Sequence, residues 1–304
     1  MVQGHSSAGP KSDGPHFALR LSSFILMSFV LGLFNGCGGP KEHRLETTEK
    51  YVVIADKSDT GAALYNNRGA AKMINGDVRG ALADFAQAVE RNPKAAEYHE
   101  NLAWAQAELG EYAKALETLD ETIRLDSDNA ETYWKRGFVM GQLGKYQAAI
   151  QDLTKALSLD PKSAKAYGAR GWAKAMLRDW DGAMVDMTEA IALAPNDPAG
   201  YQNRGYARSR SGQAEGAVAD YTRAIQLNPQ DPSLYVMRAE AKADLSDREG
   251  ALEDLARAIS NQPDLAQAYQ VRGRVKRRFH DEQGAREDFD KAISLDPTLR
   301  KEKP

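Results

Sequence analysis

The chain repeats one residue pattern every 34 positions, in seven consecutive windows from 62 to 299 without an insertion or deletion. Window position 20 is alanine in all seven windows, position 8 is always glycine or alanine, and position 32 is proline in six. A fixed period of this length is typical of stacked repeat architectures. We therefore expect seven similar units, called repeats 1 to 7: 62–95, 96–129, 130–163, 164–197, 198–231, 232–265 and 266–299.

Each window predicts a helical hairpin. Positions 4, 8 and 11 share one side of a first helix, and positions 20, 24, 27 and 28 share one side of a second. Small residues at positions 8, 20 and 27 allow the helices to approach closely, and glycine near position 15 and proline at position 32 end them. This pattern resembles the tetratricopeptide repeat (TPR). The resemblance implies an all-α, right-handed superhelical solenoid of seven helix-turn-helix repeats.

Composition excludes several classes of function. A formal net charge of −3 does not favour binding to nucleic acid, which is typical of basic proteins. The five histidines are too scattered to suggest a metal site, and no phosphate-binding loop, nucleophile elbow or cofactor motif is present. His99 stands where six windows carry tyrosine at position 4, which indicates a packing role. We therefore expect a protein without catalysis, metal or cofactor.

The N-terminus carries an apolar run from Leu21 to Phe34, followed by Cys37, the only cysteine. The run is short for a membrane span and suits a signal-peptide core. The arrangement resembles a bacterial lipoprotein signal, which implies a signal peptide at 1–36 and acylation, including palmitate, of Cys37. A tether over 37–61 and a short tail at 300–304 would flank the repeats. The resemblance implies anchoring in the bacterial cell envelope, on the periplasmic or outer side. An uncleaved anchor, or a secretory signal with an incidental cysteine, is the alternative.

The face of the first helix that hairpin packing does not need carries positions 2, 5, 9, 12 and 13. In the family that the chain resembles, this face lines a concave groove. Position 9 is aromatic in four consecutive repeats, and a tryptophan at position 5 lies one turn before the second of these rings. These candidates for binding a partner are Trp104, Trp134, Phe138, Trp172 and Tyr206. The alternative is that the rings only fill the joints between adjacent repeats.

Polar residues extend this candidate surface. Asparagines at position 6, which suit hydrogen bonding to a peptide backbone, are Asn67, Asn101 and Asn203. Arginines on the groove side are Arg210, Arg274, Arg277 and Arg278, whereas repeat 2 is strongly acidic. A groove that is acidic near one end and basic near the other would hold an extended peptide in one direction. A solvated surface with a chance distribution of charge is the alternative.

Two further columns indicate a structural pair. Position 7 is arginine in six repeats and position 23 is aspartate in the same six, whereas repeat 2 has Leu102 and Thr118 there. Their joint loss predicts that the two side chains pair across the hairpin.

These observations favour a membrane-anchored scaffold that binds a protein or peptide partner and has some tendency to self-associate weakly through its terminal helix. Two alternatives stay open. Evenly spaced tryptophans also suit a carbohydrate-binding or cell-wall-associated module, and the chain could be a non-catalytic subunit of a membrane enzyme complex.

Overall fold

A computed structural model describes the backbone of residues 61–302 and the side chains of residues 61–299. The expected signal peptide, Cys37 and nearly all of the tether lie outside the described residues. Each repeat contains one hairpin, and the described residues contain helices and no strand. The first helices are α1 (Ala62–Ile74), α3 (Ala96–Glu108), α5 (Ala130–Gln142), α7 (Ala164–Met176), α9 (Pro198–Arg210), α11 (Pro232–Asp244) and α13 (Ala266–Arg278). The second helices are α2 (Val78–Arg91), α4 (Tyr112–Leu125), α6 (Tyr146–Leu159), α8 (Trp180–Leu193), α10 (Ala214–Leu227), α12 (Arg248–Asn261) and α14 (Glu282–Leu295). A 3₁₀ helix, Pro297–Glu302, follows. The predicted all-α array of seven repeats is confirmed.

The turn inside each hairpin needs one residue with positive φ at position 15. Glycine, which adopts this conformation at little cost, fills it in four repeats, and Gly76 has φ 81°. Arg178, Ser246 and His280 adopt φ values of 63–65° in the other three. An aspartate at position 16 then caps several second helices, as Asp179 does by accepting a hydrogen bond of 3.0 Å from Gly182 N–H. The hairpin turn therefore tolerates sequence variation without a change in length.

The two helices of a hairpin meet closely at position 8. A Cβ atom on Gly137 would lie 2.7 Å from Leu153 Cγ, and one on Gly205 would lie 2.8 Å from Tyr221 Cε1. Such separations are shorter than van der Waals contact. Glycine at position 8 therefore lets the large side chain at position 24 pack directly on the first helix.

The predicted arginine–aspartate pairing is confirmed. Arg170 donates two hydrogen bonds of 2.8 Å to the carboxylate of Asp186, which is 2% exposed. The other pairs have the same bidentate geometry: Arg68–Asp84, Arg136–Asp152, Arg204–Asp220, Arg238–Asp254 and Arg272–Asp288. In repeat 2, Thr118 instead donates a hydrogen bond of 2.9 Å to Gln106.

A second cation, at position 11, also binds the aspartate in five repeats. Lys174 Nζ lies 2.8 Å from Asp186 Oδ2 and 3.5 Å from the carbonyl oxygen of Gly182. The equivalent cations are Lys72, Arg208, Lys242 and Lys276. This column was not among the predictions from the sequence, although a cation recurs there in five of the six repeats that carry the pair. Two cations thus compensate each of these buried carboxylates.

Side chains at two positions also join neighbouring repeats. Arg170 Nη1 donates a hydrogen bond of 3.2 Å to Thr154 of the preceding repeat, and Arg136 reaches Asp120 in the same way at 2.8 Å. In repeats 5 to 7, the tyrosine at position 4 donates from its hydroxyl to the carbonyl of the proline near the end of the preceding repeat, as Tyr201 does to Pro195 at 3.2 Å. In repeat 2, His99 Nε2 lies 2.9 Å from the carbonyl oxygen of the equivalent proline, so this histidine replaces the tyrosine in the joint.

The helices form two layers. Each second helix from α2 to α12 packs between its own first helix and the first helix of the next repeat. First helices of neighbouring repeats also contact each other along the whole array, from α1 and α3 to α11 and α13. The first helices therefore make up the inner layer and leave one face open to a partner.

The two ends of the array differ in polarity. Position 3 is buried between repeats at most other windows, as at Leu234 (1% exposed), but Leu64 in α1 is 57% exposed. At the other end, Arg286 replaces the apolar residue that the other six repeats carry at position 21, and it is exposed with Glu287, Asp290 and Lys291. The last helix thus presents a polar outer face. The weak self-association expected through it stays a prediction.

The arginine–aspartate pair can be tested by a double-mutant cycle on Arg170→Gln and Asp186→Asn. Because the carboxylate is buried and both hydrogen bonds are charge-assisted, we expect a coupling of about 1.5–3 kcal/mol in the free energy of unfolding. Urea denaturation of the four proteins measures it. Arg124 and Glu121, an exposed bidentate pair within α4, provide the control, with a coupling of about 0.5 kcal/mol or less. Equal coupling in the two cycles would contradict a structural role for the buried pair.

The inner groove as candidate binding site

The candidate site is the open face of the inner layer, formed by positions 2, 5, 9, 12 and 13 of the first helices. We call this surface the inner groove. Side chains one repeat apart touch along it: Arg274 Nη2 lies 2.6 Å from Glu240 Oε1, and Arg278 Nη1 lies 2.9 Å from Asp244 Oδ1. Residues in one column are therefore direct neighbours, and the internal contacts of each column decide which groups stay available to a partner.

The N-terminal aromatic residues form a cluster. The ring centroid of Trp104 lies 5.6 Å from that of Trp134 and 5.9 Å from that of Phe138. Trp134 and Phe138 are buried, at 3% and 8% exposed, whereas Trp104 is partly exposed. Lys135 lies over the Trp104 ring, 5.8 Å from its centroid. Of this cluster, only Trp104 keeps partly exposed surface.

The other two position-9 rings pack against the start of a second helix in the preceding repeat. Trp172 meets Tyr146 edge-on at 5.6 Å and lies 3.9 Å from the position that a Cβ on Gly141 would occupy. Tyr206 meets Trp180 edge-on at 6.4 Å. Trp172 is 5% exposed and Tyr206 is partly exposed. Tyr146 and Trp180 stand at position 17, and the aromatic residues at this position in repeats 2–4 were the sequence signal for these contacts.

Burial thus divides the predicted aromatic row. Trp134, Phe138 and Trp172 fill joints between repeats, as the alternative interpretation of the row expected. Trp104 and Tyr206 keep exposed surface in the inner groove. The prediction that all five rings bind a partner is therefore restricted to Trp104 and Tyr206, because Trp134, Phe138 and Trp172 are buried between repeats.

The predicted asparagines are only partly available. Asn101 donates a hydrogen bond of 2.9 Å to Asn66, which itself donates to Glu97 at 3.2 Å. Asn203 is buried, whereas Asn67 is partly exposed. The amide of Asn101 therefore links repeats 1 and 2, and these residues form no exposed row for a peptide backbone.

The predicted basic end is largely neutralised. Glu240 and Asp244, one repeat earlier, pair with Arg274 and Arg278, and Arg277 lies over the Phe289 ring at 5.3 Å. Burial raises the pKa of Glu240, and the charges of Arg274 and Arg210 oppose this effect. Arg210 is exposed and forms no hydrogen bond or ion pair with a described residue. Arg274 and Arg278 are thus neutralised by ion pairs, whereas Arg210 in repeat 5 is an exposed arginine of the inner groove without one.

The acidic end is also partly neutralised. Glu100 is buried, accepts hydrogen bonds of 3.2 Å from Asn129 and Thr132, and pairs with Lys135. Glu108, at position 13, makes no hydrogen bond or ion pair to any other described residue, and burial raises its pKa to about 7. Glu108 is one of the acidic residues of repeat 2 and was not among the predicted site residues. Its position, one turn beyond Trp104 on the same helix face, was the available signal.

The described residues show neither a metal-binding group nor a membrane-spanning helix. No cluster of three or more His, Cys, Asp or Glu side chains within them has the geometry to hold a metal ion. No helix of this part of the chain is both long and apolar enough to cross a membrane.

The raised pKa of Glu108 predicts a pH-dependent cost in stability. Because the folded state holds this proton more tightly than the unfolded chain, Glu108 lowers the free energy of unfolding as pH rises from about 4.5 towards 7 and above. Glu108→Gln removes the ionising group, so we expect it to stabilise the protein relative to wild type at pH 8 and much less at pH 5. Urea denaturation at both values measures this difference. Glu189→Gln, at an exposed glutamate in α8, should show no such pH dependence; the same behaviour in both variants would contradict the prediction.

Comparisons with known proteins agree with the fold. Family models described as tetratricopeptide repeat match residues 67–130, 130–163 and 198–231. Comparison with curated proteins finds no match. A tetratricopeptide repeat protein from Parabacteroides merdae is similar in structure, with 20% identity over 79% of this chain and 96% of that one, and a TM-score of 0.63. PilW, described as a widely conserved type IV pilus biogenesis factor, has 19% identity over 71% of this chain and 99% of its own, with a TM-score of 0.66.

A larger protein shares the same architecture. A chain of the APC/C hetero-tetramer Cut9-Hcn1 has 17% identity over 78% of this chain, with a TM-score of 0.69, and this chain spans 46% of its length. At these identities the structural neighbours establish the fold alone. With the family matches, the 34-residue period and the seven hairpins, they show that this chain is a tetratricopeptide repeat protein.

Proposed function

We propose that this protein is a membrane-anchored scaffold that binds an extended segment of a partner protein in its inner groove. The role as a scaffold for protein interaction rests on the fold, because tetratricopeptide repeats are generally non-catalytic scaffolds of this kind. Binding of the partner in the inner groove is supported by a set of groove residues that keep exposed surface or form no ion pair within the array. These residues are Trp104, Glu108, Tyr206 and Arg210.

The four residues form two similar pairs. Glu108 follows Trp104 by four residues in α3, and Arg210 follows Tyr206 by four residues in α9. Side chains four apart on a helix lie on the same face. Each pair therefore presents a partly exposed ring next to a charged group that forms no ion pair with a described residue. Partly exposed aromatic rings and arginine are the side chains most often found as energetic hot spots in protein interfaces.

The carbohydrate-binding alternative loses its main support. It depended on an evenly spaced row of exposed rings, and Trp134, Phe138 and Trp172 are buried. A role as a non-catalytic subunit of a membrane enzyme complex is a special case of the scaffold function, differing only in the partner.

Membrane anchoring is the part of the proposal that lies outside the described residues. The apolar run before Cys37 and the flexible composition after it support acylation of this cysteine and a location in the bacterial cell envelope. Stable anchoring needs two or more acyl chains, at about 0.8 kcal/mol for each buried methylene. The lipid would hold the repeats near the membrane and leave the inner groove accessible to a partner.

Cys37→Ser tests the anchor. We expect the variant to leave the membrane fraction or to accumulate as an uncleaved precursor, whereas wild type yields an acylated N-terminal cysteine in mass spectrometry. Gly38→Ser, a substitution at the next residue that keeps the thiol, serves as control and should stay membrane-bound. A wild-type protein that begins at another residue, or that carries no acyl group, would overturn the lipoprotein proposal.

Two variants test the groove. Trp104→Ala combined with Tyr206→Ala should abolish the capture of partner proteins from detergent-solubilised membranes, because each hot-spot ring contributes about 2 kcal/mol or more to binding. The buried ring of Trp172 provides the control: Trp172→Ala should lower the free energy of unfolding by about 3 kcal/mol and spare capture by the protein that stays folded at low temperature. Pull-down and urea denaturation are measured on each protein. Unchanged capture by the folded double variant would refute binding in the groove.

A further inference from the structure

Ion pairs within the array neutralise most charged side chains of the inner groove. The unpaired side chains at position 13 differ in sign, with an acid in repeat 2 and an arginine in repeat 5. Position 13 shows this most clearly, because it places one side chain per repeat at the end of each first helix. From repeat 2 to repeat 7 this column reads Glu108, Gln142, Met176, Arg210, Asp244 and Arg278. Asp244 and Arg278 neutralise each other at 2.9 Å. Glu108 and Arg210 are three repeats apart, so neither can neutralise the other.

The N-terminal pair has the chemistry of a cation subsite. The ring of Trp104 is partly exposed and already attracts Lys135 to a position 5.8 Å from its centroid. A long basic side chain that lies across this ring gains cation–π attraction and brings its charge towards the carboxyl of Glu108, one helical turn further along α3. No described cation competes for Glu108. A partner's lysine or arginine would therefore supply the counter-ion that this partly buried carboxylate lacks.

The second pair has the chemistry of a carboxylate subsite. Arg210 is exposed and unpaired among the described residues, and its guanidinium offers several N–H donors in a fixed plane. The phenol of Tyr206, one turn earlier in α9, is partly exposed. Burial raises the pKa of this phenol, so its hydroxyl stays protonated and able to donate a hydrogen bond. An arginine beside a phenolic donor suits a carboxylate better than a phosphate monoester here, because Glu240 in the next repeat adds negative charge nearby.

The span between the subsites indicates the form of the ligand. Packed helices lie about 8–10 Å apart, so three repeats separate the subsites by roughly 25–30 Å. An extended chain covers this distance with about eight or nine residues. A helical segment would need about 17–20 residues for the same span.

We propose that the inner groove recognises an extended, bipolar peptide segment, with a basic side chain on Trp104 and Glu108 and an acidic side chain on Tyr206 and Arg210, about eight or nine residues away. This inference rests on the proposed groove-binding function and adds the chemistry and orientation of the partner. The two subsites place the basic end of the segment on α3 and its acidic end on α9. A segment with both charges of one sign would lose one of the subsites.

A random 12-residue peptide library displayed on phage, selected on the full-length protein in detergent, provides the probe. We expect the enriched sequences to share a lysine or arginine and an aspartate or glutamate at this separation. Fluorescence anisotropy with a synthetic enriched peptide then gives its affinity for each variant. Arg210→Gln should weaken binding by at least about tenfold, the loss expected for one charge-assisted hydrogen bond. The same variant should have little effect on the peptide in which the acidic residue is changed to its amide.

Matched controls separate this effect from general changes in groove charge. Arg277→Gln removes a groove-side arginine two repeats away, one that lies over the Phe289 ring and leaves no carboxylate unpaired, and should leave the affinity within about twofold. Arg210→Glu should restore binding to a peptide whose acidic residue is replaced by arginine. Glu108→Gln should lose affinity only for peptides that carry the basic residue.

The outcomes distinguish this inference from the function on which it rests. Enriched peptides that lose binding in the Trp104→Ala, Tyr206→Ala variant, yet share no spaced opposite charges, would overturn the bipolar partner and leave groove binding in place. Equal losses from Arg210→Gln and Arg277→Gln would also overturn it. Peptides that bind independently of Trp104 and Tyr206 would refute both.

Discussion

The array depends on a buried carboxylate at position 23 of six repeats. Such a group is costly to bury unless it is paired and its lone pairs are satisfied. Asp186 meets this requirement with two hydrogen bonds from Arg170 and a further cation contact from Lys174. Because all three residues lie on two helices of one hairpin, the pairing holds the helices in one register. Because Arg170 also reaches Thr154, the same group connects its repeat to the one before it.

Repeat 2 shows what happens where this group is missing. A neutral hydrogen bond from Thr118 to Gln106 replaces the ion pair, and Arg136 of the next repeat contacts Asp120 where repeats 3 to 5 have threonine. His99 takes over the contact that tyrosine makes with the preceding proline carbonyl. Each change is compensated by a residue in the same joint. Repeat 2 can therefore differ in charge from the others while its helices keep the same bounds.

The fold could be predicted from the sequence because its determinants recur at a fixed spacing. Glycine or alanine at position 8, proline at position 32 and the joint loss of arginine and aspartate are all visible when the windows are aligned. The site could be predicted only in part, because each groove residue depends on a partner in another repeat. Trp172 is buried by Tyr146, and Arg274 is neutralised by Glu240, which stands 34 residues earlier. Neither contact can be predicted from the residues of one repeat alone. Both can be predicted when each residue is compared with those of the preceding repeat.

In a regular repeat array, binding specificity depends on the positions at which the residue differs between repeats. Positions that every repeat shares build the scaffold and so present the same surface at each step. The surface of the inner groove differs from one repeat to the next only where the residue at a window position changes, as at position 13 between Glu108 and Arg210. Charge that is compensated within the array fixes geometry but attracts no partner strongly, since its field is already cancelled at short range. The residues that can orient a ligand are therefore those that form no ion pair within the array. Glu108 and Arg210 are such residues, and each has a partly exposed ring one turn away on the same helix.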